Sequence, residues 1–318
     1  MCQPRSRGLD LDPEQFGFLS DSSAFIDDTP RLHQNMEEDG YLFLKGFFDR
    51  EEVLAARKVV TDRLMEAGIL DKNYSSVEGR VAKVKVVNER SAATPMPTGE
   101  IMPVKSYNAD DLTKTNKPLQ DMLNKGWIME FFSKYLGGPA RRLNYIWFRA
   151  VGHGLGTAPH CDWVYMGRGT SNLFTTWVPL GDTPLEVGGL MILENSHKKS
   201  ARLKNYLSRD VDTHCTSSPN AKKLESGEML FEWDGMLTKN PVALREKFGG
   251  RWLTAEYDMG NLLIFSMRTI HASLDNQSNR IRISADTRFQ LASDPVDERY
   301  AVENPAPYIR DFKKSRVC

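Results

Sequence analysis

The chain has 318 residues, 40% of them hydrophobic and 26% charged, which is enough to bury a real core in one large domain or two small ones. Lys plus Arg and Asp plus Glu both number 42, so no global field draws the chain to nucleic acid or to an anionic membrane. The four cysteines, Cys2, Cys161, Cys215 and Cys318, are scattered without a C-x-x-C spacing; with no secretory leader and no membrane-length apolar run, a soluble protein of the reducing cytoplasm is expected.

In chain order, the first 30 or so residues are rich in Asp, Ser and Pro and read as an extended or loosely packed arm. A short helix is expected over Thr29–Asp39, ended by Gly40, followed by a buried strand over Tyr41–Phe47. Asp49 and Glu52 have capping-box spacing, and Val53, Leu54, Ala56, Val59, Val60, Leu64 and Met65 recur at helical intervals as far as Gly68. The mixed-charge stretch Tyr74–Asn108, with its glycines and prolines, reads as a long loop or lid. One helix is expected from about Pro118 to Leu136, stopped by Gly137-Gly138-Pro139.

Beyond that stop the character changes to short strands, over Leu143–Val151, Leu173–Leu180, Leu190–Leu193, Trp252–Tyr257, Leu262–Phe265 and Ile281–Leu291. No helix alternates with them, so the pattern points to a sandwich or jelly roll rather than to βαβ units. The polar segment 198–251 interrupts the rhythm as an insertion, and residues 293–318 form a tail.

Gly156-Thr157-Ala158-Pro159-His160-Cys161-Asp162-Trp163 contains a His-x-Asp pair. On an extended segment residues i and i+2 share a face, so His160 and Asp162 would present an imidazole and a carboxylate to one ion while Cys161 turns away. His271, after an apolar strand and before a turn, is the candidate third ligand. Two imidazoles and a carboxylate on one face of an octahedral ion leave adjacent positions open, which suits Fe(II) that binds a bidentate co-substrate together with O2. In Arg280-Ile281-Arg282-Ile283-Ser284, alternation places Arg282 and Ser284 on one face, where a guanidinium beside a hydroxyl forms a carboxylate receptor.

Four segments together resemble the phytanoyl-CoA dioxygenase family of Fe(II)/2-oxoglutarate oxygenases: residues 38–53 (EDGYLFLKGFFDREEV), HCDW at 160–163, TTWVPLGDTPLEVGGLMILENSHK at 175–198, and IHASLDNQSNRIRIS at 270–284. The resemblance implies a mainly β domain over 1–318, a double-stranded β-helix (jelly roll, cupin-like) at about 141–292 with an N-terminal helical buttress in 1–140. It implies that His160, Asp162 and His271 hold iron. It also implies that Arg282, eleven residues after His271, binds the far carboxylate of 2-oxoglutarate beside Ser284. Trp177 would lie near the co-substrate and Lys105 would contact its near carboxylate. Glu194-Asn195-Ser196-His197 departs from the family's Pro-Gly-Ser-His. Asp162 stands where related halogenases carry a small residue, so oxygenation is expected: most simply hydroxylation of a C–H bond, with succinate and CO2 released.

Trp163, Tyr165, Met166 and Arg168 are candidate substrate contacts, and Gly167-Arg168-Gly169 is at most a weak phosphate-loop signal. The expected partner is a small molecule (a secondary metabolite, an acyl-CoA or a small amino acid derivative), with neither nucleic acid nor membrane; Phe289, Leu291 and the tail Pro305–Cys318 could serve a homodimer interface, although a tail packed on the surface is the simpler expectation. A zinc or manganese jelly-roll enzyme, or a catalytically silent binding protein, would share the fold and release no succinate.

Overall fold

A computed structural model describes residues 2–82, 109–211, 233 and 235–301. Arg5–Ser6 (β1) and Leu9–Asp10 (β2) form a small hairpin, and Phe16–Phe18 (β3) follows. Helix Thr29–Asp39 (α1) ends at Gly40, whose φ of 80° and close approach to the His197 ring leave no room for a side chain. Then come Tyr41–Leu44 (β4) and Arg50–Glu66 (α2), the latter capped by the Asp49 carboxylate on the N–H groups of Glu51 and Glu52. Ala109–Lys114 (α3), Lys117–Asn124 (α4) and Trp127–Leu136 (α5) precede strands Ala140–Arg142 (β5) and Trp147–Val151 (β6). A single turn of helix, Trp163–Met166 (α6), leads to Phe174–Pro179 (β7) and Leu190–Leu193 (β8). The remaining strands are Trp252–Thr254 (β9), Leu262–Ser266 (β10), His271–Ser273 (β11) and Arg282–Leu291 (β12).

The strands form a six-stranded sheet ordered β4-β10-β7-β12-β5, with β6 also paired to β12, and a four-stranded sheet ordered β11-β8-β9-β3. Period-2 alternation decides what lies on each face. Leu42 and Leu44, Leu262 and Ile264, and Ile283, Ala285 and Phe289 join one core with residues of α1, α2, α4 and α5. The opposite face of β4 and β10, with Tyr41, Phe43, Leu263 and Phe265, meets Leu190 and Ile192 of β8 and Leu253 of β9 in a second core. Met191, Leu193, Trp252 and Ala272 turn the other way into a third core, with Leu244 and Phe248 of the helix Pro241–Phe248.

Three expectations are corrected. The helix expected over 118–136 is two helices, because Gly126 takes φ 60° and ψ −136°, which no helix continues through; Trp127 is left exposed beside it. The arm is extended but packed, with β3 parallel to β9 and the Ser6 hydroxyl donating to Ser273 O. Phe289 is not available for an interface: it is fully buried and stacked on Phe132, ring centroids 4.1 Å apart. Most of the lid at 74–108, residues 212–232 of the insertion and the tail from 302 lie outside the described residues.

Phe289→Ala should cost about 3–5 kcal/mol through lost transfer energy and the cavity left against Phe132. A urea midpoint shifted with an unchanged m-value would register this; a shift below about 1 kcal/mol would refute the packing described.

Candidate metal centre and co-substrate cleft

His160 and His271 are fixed by a bridge in which each residue's N–H donates to the other's carbonyl, both at 3.0 Å. Their Nδ1 atoms lie 2.8 Å from Ala158 O and 3.1 Å from Thr269 O. A carbonyl only accepts, so each Nδ1 carries the proton and each Nε2 keeps its lone pair. Asp162 arrives differently from the expected strand alternation: it adopts helical dihedrals as the N-cap of α6. Its Oδ1 lies 3.8 Å from His160 Nε2 and 3.6 Å from His271 Nε2. One ligand atom from each residue lies within 4.8 Å of the others, and all three side chains are buried. Cys161 points away into the third core, its Sγ donating to Arg268 O.

The other oxygen of Asp162 is already engaged. Oδ2 accepts from Thr175 Oγ1 at 2.6 Å and from an Arg288 NH2 group at 2.7 Å. Thr175 and Arg288 are direct cross-strand partners on β7 and β12, so one rung of the ladder supplies both donors. The Arg288 guanidinium lies 3.9 Å over the Trp147 ring, which holds it flat against β6. Burial alone would raise the Asp162 pKa, but Arg288, the two imidazoles and the Thr175 hydroxyl hold it well below the usual carboxylate range. Burial, helped by the neighbouring His271, pushes His160 down to about 3, and burial lowers His271 too. At neutral pH the site is thus two neutral imidazoles and one carboxylate, the state a divalent ion requires.

Along β12 the even residues Arg282, Ser284, Asp286, Arg288 and Gln290 all face away from the helices and are all buried. Arg282, His160, His271, Trp177, Arg149 and Asp286 line one cleft. Ser284 Oγ is fully buried and has no hydrogen-bond partner among the described residues. An iron ion on the triad and a dicarboxylate reaching Arg282 and Ser284 both fit these residues. Trp177 is buried, with its ring 4.7 Å from that of Tyr257. Lys105 lies outside the described residues.

The expected substrate contacts separate. Tyr165 sets its ring edge-on to His160, centroids 5.6 Å apart. Met166 is fully buried in an aromatic-rich cluster with Trp147 and Tyr300 and is part of the core, not a pocket wall. Trp163 donates from Nε1 to Leu207 O, and Arg168 forms an ion pair with Asp210 at 2.7 Å, which accounts for both without a ligand. Sequence reasoning did not single out Thr175, Arg288, Asp286 or Arg149. Nor did it find Asp275, whose carboxylate accepts from the N–H groups of Arg7, Gly8 and Gly156 at 2.7–2.8 Å and so ties the arm to the segment leading into His160.

A family model described as phytanoyl-CoA dioxygenase (PhyH) matches residues 36–284, and the chain belongs to that family. It is accordingly a non-haem iron oxygenase that uses 2-oxoglutarate, and the His160, Asp162, His271 cluster has the matching donor set. The 1-deoxypentalenic acid 11-beta-hydroxylase of Streptomyces exfoliatus is 24% identical over 287 residues, covering 86% of this chain and 85% of that protein. The hydroxylase of the same name from Streptomyces arenae is 24% identical over 296 residues, covering 88% and 87%. Among solved structures, the non-heme alpha ketoglutarate dependent epimerase SnoN from nogalamycin biosynthesis shares the fold at a TM-score of 0.52 and 17% identity, covering 88% of this chain and 92% of that one. EctD from S. alaskensis, solved with 2-oxoglutarate and 5-hydroxyectoine, does so at 0.51 and 16%, covering 97% and 89%.

Removing the Asp275 carboxylate should free the arm. Asp275→Ala is expected to lower stability by about 2–4 kcal/mol, because three backbone donors lose a charged partner. Amide hydrogen exchange over residues 5–11 should accelerate; unchanged protection there would refute the tether.

Proposed function

We propose that this protein hydroxylates an unactivated C–H bond of a small secondary metabolite, coupling it to conversion of 2-oxoglutarate and O2 into succinate and CO2. The observation that carries this reading is the buried His160, Asp162 and His271 cluster, whose two imidazoles line the same cleft as Arg282. In this reading His160 Nε2, His271 Nε2 and Asp162 Oδ1 hold Fe(II), which supplies the site of O2 activation. Arg282 and Ser284 bind the far carboxylate of 2-oxoglutarate, and Trp177 flanks the co-substrate. The Thr175 and Arg288 bonds to Oδ2 restrict Asp162 to one ligand oxygen and keep neighbouring positions open to the co-substrate. Tyr165 walls the substrate side. Two Streptomyces relatives named as hydroxylases of 1-deoxypentalenic acid favour a secondary metabolite over an acyl-CoA.

We read residues 1–318 as one oxygenase domain, since the two sheets bring His271 on β11 and Arg282 on β12 to one cleft. The facing sheets, with ladders β10-β7-β12 and β11-β8-β9, support a double-stranded β-helix, with α1, α2, α4 and α5 as its helical buttress.

Aerobic incubation with Fe(II) and 2-oxoglutarate should yield succinate at a slow uncoupled rate that rises with the right substrate. His271→Ala and Arg282→Ala should each lower it by two orders of magnitude or more, about 3 kcal/mol of lost stabilisation. Iron-loaded wild type that releases no succinate with any candidate substrate would refute the oxygenase reading and favour another metalloenzyme.

The carboxylate of Asp162 should also govern metal retention. Asp162→Ala should weaken Fe(II) binding by at least tenfold, measured by competition with a chromophoric chelator; unchanged affinity would remove Asp162 from the ligand set.

A further inference from the structure

Between His160 and Asp162 stands Cys161, fully buried and outside any regular element. The chain leaves the His160–His271 bridge just before it and reaches the N-cap of α6 just after it. A buried backbone N–H there needs a partner that neither ladder nor helix supplies. It finds one in the hydroxyl of Tyr206, on the helical turn Lys204–Leu207, to which the Cys161 N–H donates at 3.0 Å. The same hydroxyl donates at 2.6 Å to Gly235 O. A phenol has a single O–H, so its proton goes to Gly235 and a lone pair faces Cys161.

The segment that receives the proton is itself tied to the loop that carries the ligands. Leu237 N–H donates at 2.8 Å to Pro159 O, one residue before His160. Gly235 takes φ 88°, and a Cβ there would fall 2.2 Å from the Tyr165 hydroxyl. Its backbone therefore lies against the far end of the ring that stands edge-on to His160. Leu207 O accepts from Trp163 Nε1 at 2.9 Å, one residue after Asp162. Residues 206–207 and 235–237 of the polar segment 198–251 thus hold the loop at 159, 161 and 163, while Thr175 and Arg288 hold the Asp162 carboxylate itself.

We propose that Tyr206 is a positioning residue of the metal centre, whose hydroxyl locks the turn between His160 and Asp162 and so sets the separation of their ligand atoms. The planar peptide unit joining His160 to Cys161 carries the N–H that Tyr206 holds, and rotating that plane would turn the two side chains relative to each other. The segment 198–251 acts on the metal site through this one bond and its extension to Gly235. This rests on the ligand set of the oxygenase reading above.

Y206F removes the hydroxyl and keeps the ring edge-on to Trp233, 5.6 Å between centroids. R209M is the packing control, since the Arg209 guanidinium lies 3.5 Å over the same Trp233 ring and takes part in neither bond of the hydroxyl. Fe(II) affinity of the full chain is measured by competition with a chromophoric chelator. Affinity of iron-saturated protein for 2-oxoglutarate is read from the anaerobic charge-transfer band. Y206F should raise the Kd for Fe(II) about three- to tenfold, less than the roughly 10–100-fold that follows loss of a side chain bonded directly to a ligand. R209M should leave it within about twofold, and both variants should keep the Kd for 2-oxoglutarate within about twofold. A merely structural Tyr206 would lower the thermal midpoint of the apoprotein and leave Fe(II) affinity unchanged. That result, or equal shifts in Y206F and R209M, overturns the proposal. Should Y206F not fold, amide exchange of wild type decides. Fe(II) should then slow exchange at Cys161 and Leu237 by similar factors, because both amides open with the one turn; protection of Cys161 alone overturns the link. Absence of the charge-transfer band from iron-loaded wild type overturns the oxygenase reading, and the Fe(II) affinities still decide the role of Tyr206.

Discussion

The site depends on one carboxylate oxygen, Asp162 Oδ2, held between the Thr175 hydroxyl and the Arg288 guanidinium. A free carboxylate rotates and offers either oxygen or both to an ion. Here two charge-assisted or short bonds, supplied by adjacent strands, occupy one oxygen and aim the other at the paired imidazoles. Burial would favour protonating Asp162, and the guanidinium reverses that preference. A buried ion pair of this kind is costly to assemble, so its return is sought in geometry more than in stability.

β12 organises what surrounds that bond. Its odd residues, Ile283, Ala285 and Phe289, seal the helix-facing core, while Arg282, Ser284, Asp286 and Arg288 face inward. One strand thereby carries Arg282, which lines the cleft and is the proposed co-substrate anchor, and, six residues later, Arg288, which holds Asp162. The inward surface passes from apolar at β4 and β10 to polar at β12, and the cleft opens where the second sheet delivers His271. The cost of burying this polar surface is met by the apolar area that β4, β10 and Trp177 of β7 contribute beside it.

Much of this was legible in the sequence. Gly40 and the Asp49 cap placed α1 and α2 because a positive φ and a short acceptor have few alternatives. The His-x-Asp pair and His271 marked a buried cluster that the fold brings together, whereas the interval to Arg282 came from the resemblance to the family. The strand was expected over Ile281–Leu291, but its inward face was followed only to Ser284, although the same alternation continues through Asp286 and Arg288 and carried the signal for the clamp. Arg149 and Thr175 left no trace, since only strand pairing brings β6 and β7 beside β12. Asp162 was placed by strand alternation, whereas it is the N-cap of α6; convergence held because the His160–His271 bridge, not the pleat, fixes the geometry. A period of 3.6 cannot show that Gly126 divides α4 from α5, because both halves keep an apolar face.

The division of labour along β12 is tested most directly by measuring two constants on the same pair of variants. Fe(II) affinity comes from chelator competition, and 2-oxoglutarate affinity from the anaerobic charge-transfer band of iron-saturated protein. Arg288→Met should weaken iron binding by roughly 10–100-fold while saturated protein still takes up 2-oxoglutarate. Arg282→Met should do the reverse. If Arg288→Met binds iron as wild type does, or if both variants move both constants alike, Arg288 is not the clamp that fixes Asp162 for the metal.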